Sequence, residues 1–192
     1  MSLRFKKILF SLVFFCFSIL NFINLSLAQD DNFGSGKVFE TTHFTVIYSP
    51  QLEISDLQQK LNFGNKDLLL SISPPNKQPN LGTILDALFN RVCNILDMNL
   101  FSYHGTIKIC DRQTKLNTIY QHIFDKDLGG MRSFYIYSLN TIYLSADNFS
   151  CEIVGHEIAH AVISHYFVVT PSTKIQEVLA GYAEYQLRKA RN

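Results

Sequence analysis

The stretch Ile153-Val154-Gly155-His156-Glu157-Ile158-Ala159-His160-Ala161-Val162 sets two histidines four residues apart, with a glutamate directly after the first. On an α-helix, residues four apart lie on one face, about 40° apart in projection. Both imidazoles then reach one metal ion, and Glu157 stands beside them to hold a water. A histidine pair with an adjacent carboxylate at this spacing points to catalytic zinc, with Glu157 as general base. Apart from Glu157, no charged residue lies between Ile153 and Val162. A helix this apolar predicts burial, and buried imidazoles and carboxylates need partners.

A catalytic zinc site commonly takes a third protein ligand and leaves a fourth position for water. Downstream comes Thr170-Pro171-Ser172-Thr173-Lys174-Ile175-Gln176-Glu177. Pro171 breaks the first helix or punctuates the loop after it. Thr173 followed by Gln176 reads as a capping box opening a second helix, which puts Glu177 in its first turn. Glu177 is one candidate for the third ligand. Glu184 is the rival, on the same helical face and roughly 10 Å further along.

These residues resemble the gluzincins, zinc peptidases with two histidines on one helix and a glutamate on the next. The likeness is to thermolysin and, more closely, to short bacterial peptidase-MA-like proteins. In those a glutamate at about this distance begins a Glu-x-x-Ala-x-Tyr pattern, read here as Glu177-Val178-Leu179-Ala180-Gly181-Tyr182. The resemblance covers residues 150–190. It implies one zinc ion held by His156, His160 and Glu177, with Glu157 as general base. Two positions depart from it: Val178 stands where many relatives have Gly, and Gly181 where thermolysin-like enzymes have a supporting Asp. Glu184 or a backbone carbonyl is then the candidate acceptor for the outer N–H of a ligand histidine. Tyr182 and Tyr185 could donate to an oxyanion, but core packing or structural hydrogen bonding is the role expected of each.

The N-terminus carries targeting signals. Arg4, Lys6 and Lys7 precede an apolar run from Ile8 to Leu20, and Ser26-Leu27-Ala28 is a small-x-small cleavage site. Residues 1–28 are therefore expected to be a signal peptide. The product would be exported, periplasmic or extracellular, without a stable membrane span, because the run is short for a bilayer. Residues 29–37 are polar and glycine-containing and read as a flexible leader. Residues 38–192 suffice for one domain with its own core. The formal charge of +1, with no basic stripe, argues against a nucleic-acid partner. Cys93, Cys110 and Cys151 remain after cleavage, so an oxidising compartment permits any one of three bridges.

Residues 38–48 are β-branched and aromatic and read as one strand ended by Ser49-Pro50. Residues 55–70 are weakly helical around Gly64, and 73–79 form a proline-rich loop. Leu81, Ile84, Leu85, Leu88, Val92, Ile95 and Leu96 mark one buried helical face over 81–98, with Asn80 as N-cap. A strand at 106–110, a helix at 115–124 ending before Gly129-Gly130, and a hairpin of 134–137 with 141–144 complete the series. The remaining histidines, His43, His104, His122 and His165, lie outside any motif; His165 falls about 140° from the metal face.

Strands gathered ahead of two terminal helices predict an α+β fold. The resemblance implies a single-domain, minimal zincin-like form, a small mixed sheet packed on the His156–His160 helix with a C-terminal glutamate-bearing helix. It also implies an edge strand, 134–144 or 43–48, that pairs with extended substrate. The expected activity is peptide-bond hydrolysis by a metal-activated water, with a peptide or protein as substrate. No large segment follows the ligand helix, and such an open site motivates the alternative: a non-catalytic, zinc-stabilised domain that binds a peptide or protein partner.

Overall fold

Among the described residues, five short strands make one mixed sheet in the order β1-β2-β3-β5-β4. They are β1 (Lys37–Glu40), β2 (Phe44–Tyr48), β3 (Gly105–Cys110), β4 (Ser133–Ile136) and β5 (Thr141–Ser145). Strands β2, β3 and β5 run parallel, with Val46 opposite Ile107 and Ile107 opposite Ile142. The outer strands are antiparallel to their neighbours: β1 pairs with β2, and β4 pairs with β5, Tyr135 facing Ile142. The computed structural model describes residues 31–61 and 79–191. The expected signal peptide, residues 62–70 of the weak helix and residues 73–78 of the proline-rich loop lie outside them. Residues from Asn32 onward belong to one compact unit.

The helices are α1 (Ile54–Lys60), α2 (Leu81–Leu96), α3 (Gln113–Phe124), α4 (Cys151–Tyr166) and α5 (Thr173–Arg191). Alternation along the strands divides the core. Val46, Ile107, Ile109, Ile142 and Leu144 face a large apolar cluster shared with α2, α4 and α5. Tyr143 and Phe134 face a smaller cluster on the other side, built on Leu116 and Ile119 of α3. Mixed sheet and helical layers agree with the α+β expectation.

The long helix forms where its periodicity places it, and Asn80 caps it by accepting the Thr83 N–H at 2.9 Å. Gly129 and Gly130 both adopt left-handed backbone (φ 64° and 85°), which ends the connection after α3. The single strand expected at 38–48 is instead two, β1 and β2, folded back on each other. Asp86 of α2 makes the break: its carboxylate accepts from Thr41 Oγ1 at 2.7 Å, Thr42 N at 2.9 Å and His43 N at 3.0 Å. The leader is also less loose than its composition suggests. Phe33 is buried in the smaller cluster, under the Lys108 ammonium at 5.5 Å. Cys93, Cys110 and Cys151 are buried thiols on α2, β3 and α4.

Helix α4 starts at Ser150, whose Oγ accepts the Ile153 N–H at 3.3 Å. Twelve of its sixteen residues are buried, as its apolar sequence predicts. The capping box expected at Thr173 and Gln176 does not form. The Ser172 carbonyl accepts the Ile175 and Gln176 N–H groups, and the Gln176 amide donates to the Pro171 carbonyl at 2.9 Å. The helix thus begins one residue earlier than expected, and Glu177 falls beyond its first turn, which contains no acidic residue.

Helices α4 and α5 pack through small residues. Ala180 and Ala183 of α5 are fully buried. On α4 the small residue is Gly155, where an added Cβ would stand 2.2 Å from Leu187 Cδ1. Leu187 is itself buried and has little room to yield. Gly181 of α5, by contrast, would place a Cβ in open space. The two glycines therefore predict opposite outcomes in a urea titration of the metal-free protein. Gly181→Ala should raise stability by about 0.5–1 kcal/mol, since alanine loses less backbone freedom in a helix. Gly155→Val should lower it by about 2 kcal/mol or more through overpacking. Equal effects at both positions would contradict this packing.

Candidate metal centre

The one-face spacing of His156 and His160 brings their Nε2 atoms to 3.2 Å of each other. Glu177 reaches across from α5, with Oε2 3.6 Å from His156 Nε2 and Oε1 3.4 Å from His160 Nε2. All three donor atoms lie within 4.8 Å of one another. Two ligands about 2.0–2.1 Å from a tetrahedral ion stand about 3.3–3.4 Å apart. The two imidazole–carboxylate distances are made by different Glu177 oxygens, so they do not describe one three-donor set at that spacing. The three residues are a candidate ligand set; a hydrogen bond between the imidazoles and ion pairs from Glu177 give the same separations without an ion.

Glu184, one of the two sequence candidates for third ligand, lies on the outer side of His156. Its Oε2 is 3.3 Å from His156 Nδ1, and its Oε1 accepts from Arg188 at 2.5 Å. The Glu184 oxygen lies off the direction in which the ring would donate, so the buried His156 Nδ1 makes no hydrogen bond. The geometry thus separates the two glutamates: Glu177 meets both inner nitrogens, and Glu184 meets one outer nitrogen.

Glu157 points from the same helix toward the sheet and is 4% exposed. Ser133 Oγ, at the start of β4, donates to Glu157 Oε1 at 2.6 Å. Burial pushes the Glu157 carboxyl up from its ordinary 4.5 to about 7, the Ser133 hydrogen bond opposes that rise, and the Glu177 charge adds to it. Burial, followed by the neighbouring His156, lowers the His160 imidazole. These shifts belong to the metal-free protein; a cation among these donors would favour the carboxylate form.

His156, Glu157, His160, Glu177 and Glu184 all line one cleft of about 520 Å³. Strand β4 forms its opposite wall through Ser133, Phe134 and Tyr135. Of the two strands suggested as the edge beside the site, β4 is that edge, whereas β2 is interior. Tyr182 and Tyr185 do not line the cleft; both are about half exposed. His165, at the end of α4, sets its Nδ1 3.1 Å from the Ala161 carbonyl, to which it can only donate, and 3.4 Å from the Tyr135 hydroxyl, outside the donor cluster, as expected. Ser133 is the site residue that sequence reasoning missed. A serine at a strand start carries no signal of its own, and only the packing of β4 on α4 brings it to Glu157.

No protein-family model, curated protein or solved structure matches this chain.

The buried carboxyl predicts a pH dependence in metal-free protein. A carboxyl whose folded pKa lies above its unfolded value binds its proton more tightly when folded, so it loses stability as pH rises from about 4.5 to about 7. The lowered His160 acts in the opposite sense, gaining stability as pH rises toward 6.5. Comparing wild type with Glu157→Gln cancels the histidine. The variant should gain stability relative to wild type over pH 4.5–7, by up to about 3 kcal/mol, and hold that lead above pH 7. Denaturant midpoints at pH 5, 6, 7 and 8 measure it; a difference that does not change with pH would contradict the burial of an ionisable Glu157.

Proposed function

We propose that this chain is a zinc-dependent peptidase of minimal zincin-like fold, acting after export on peptide or protein substrates. The observation that carries the reading is the convergence of His156 Nε2, His160 Nε2 and Glu177 within 4.8 Å of one another, beside the buried Glu157 side chain. Zinc at His156, His160 and Glu177 would supply Lewis acidity toward a carbonyl oxygen and a water. Glu157 is the general base. With Oε1 held by Ser133, its other oxygen takes a proton from water and returns it to the departing amine. Strand β4, at the sheet edge, offers its outer backbone groups to an extended peptide laid along the cleft. Glu184, steadied by Arg188, orients His156 from behind. Three protein donors are fewer than the four usual at structural zinc, which favours catalysis over a purely structural site.

The test combines metal content with cleavage of a library of unstructured peptides. Wild type should hold one zinc ion per chain, and a His156→Ala/His160→Ala double variant none. Glu157→Gln should keep the metal and lose cleavage by several orders of magnitude, since water orientation and proton transfer both go. Cleavage by Glu157→Gln at the wild-type rate would overturn the mechanism. Full zinc loading with no cleavage by wild type would favour the alternative, a zinc-stabilised binding domain.

The two glutamates are told apart by metal-competition titration. Loss of a supporting partner typically weakens metal binding about 10–100-fold. Glu184→Ala should fall in that range and Glu177→Ala beyond it. The reverse order would make Glu184 the ligand.

A further inference from the structure

Helix α5 is apolar on two opposite faces. Ala180, Ala183 and Leu187 make the face buried toward α4. Ile175, Val178, Tyr182 and Tyr185 are all exposed. Their spacing of three, four and three residues sets them in one stripe, roughly 150° around the helix from the buried face. The connection leading into α5 continues the same character: Phe167 and Val169 are exposed, and Val168 is fully so. Tyr166 packs its ring edge-on to Phe167, 5.3 Å between centroids. Scattered exposed apolar residues need no explanation, but a continuous stripe and loop of them mark a contact surface.

Charge selects the partner. The acidic residues of α5, Glu177 and Glu184, are turned toward α4, where they meet His156. Lys174 stands at the start of the outward stripe and Lys189 in line at its far end, both exposed. Laying two copies of the stripe together, in either direction, would bring lysine against lysine or against Arg188. An anionic bilayer surface suits the same pattern. Tyrosine and phenylalanine rings settle at the headgroup boundary, and lysine stems run along the apolar surface to reach lipid phosphates.

We propose that the outward face of α5, with the α4–α5 connection, docks on the surface of an anionic lipid bilayer. The helix lies in the interface plane, with Val168 and Val169 at the deepest point and Lys174 and Lys189 at the phosphates. Thr170 and Thr173 belong both to this segment and to the lining of the cleft, so docking sets the cleft mouth beside the membrane. The proposal stands on the surface alone and does not need the peptidase reading.

The chain contains no tryptophan, so a single indole reports on its own surroundings. V168W places one at the proposed contact. Q121W places one on the exposed side of α3, which packs on the other face of the sheet. Both are made in the full chain, so that attachment through any other segment is common to the two. With phosphatidylglycerol vesicles carrying brominated acyl chains, the V168W emission should shift to the blue and be quenched, and the Q121W emission should not. Adding K174E/K189E should weaken the V168W response about ten-fold or more in apparent vesicle affinity. An unmoved V168W signal, or equal responses from V168W and Q121W, would overturn the proposal. A shift that grows with protein concentration in the absence of lipid would overturn it in favour of self-association. Equal responses to phosphatidylcholine vesicles, insensitive to K174E/K189E, would overturn the role of charge.

Discussion

The close approach of α4 and α5 is the constraint on which the site depends. His156 and His160 come from one helix and Glu177 from the other, and their donor atoms meet at 3.2–3.6 Å. Contact distance between helices is set by the side chains at the crossing. Here these are Gly155, Ala180 and Ala183, with Leu187 lying over the glycine. One larger side chain at this crossing would separate the axes by an ångström or two. That displacement is comparable to a metal–ligand bond and would leave Glu177 outside the reach of an ion held by the histidines. The small residues therefore set the spacing of the His156, His160 and Glu177 side chains through packing, without touching them.

The second half of the site comes from the sheet. Glu157 leaves α4 on the side facing β4 and is nearly inaccessible. An ionised carboxylate in such a place is unfavourable unless hydrogen-bonded. Ser133 supplies that bond to Oε1 from the edge strand. The carboxylate thus lies between two demands. Burial favours its protonated form, whereas the hydroxyl and any cation among the neighbouring donors favour the charged one. The sheet and the α4–α5 pair supply different parts of one centre, and the cleft between them is where both are felt.

Much of this was legible in the sequence wherever the signal was local. The apolar flanks of His156–His160 predict a buried helix, and α4 is one. Asn80 and the periodicity after it predict α2 from its cap onward, and the hairpin before α4 forms as β4 and β5. What escaped depends on contacts across the fold. The run 38–48 has strand propensity throughout, and the carboxylate of Asp86, far along the chain, folds it in two. Gly181 and Gly155 look alike as letters; the face each occupies becomes clear only when Leu187 is seen against one and open space against the other. Thr173 and Gln176 have capping-box spacing, but Ser172 starts the helix and Gln176 turns to Pro171. Tyr182 and Tyr185 follow the glutamate in sequence, and helical rotation leaves them exposed and outside the cleft lining. Ser133 is silent until the sheet docks.

X-ray absorption at the zinc edge of the zinc-loaded protein addresses the centre itself. It reports the ion's ligand types and distances without requiring any substrate. The account predicts one zinc ion per chain with two imidazole nitrogens and oxygen donors, all at about 2.0–2.2 Å. A sulfur shell at about 2.3 Å, or zinc bound without an imidazole pair, would contradict it.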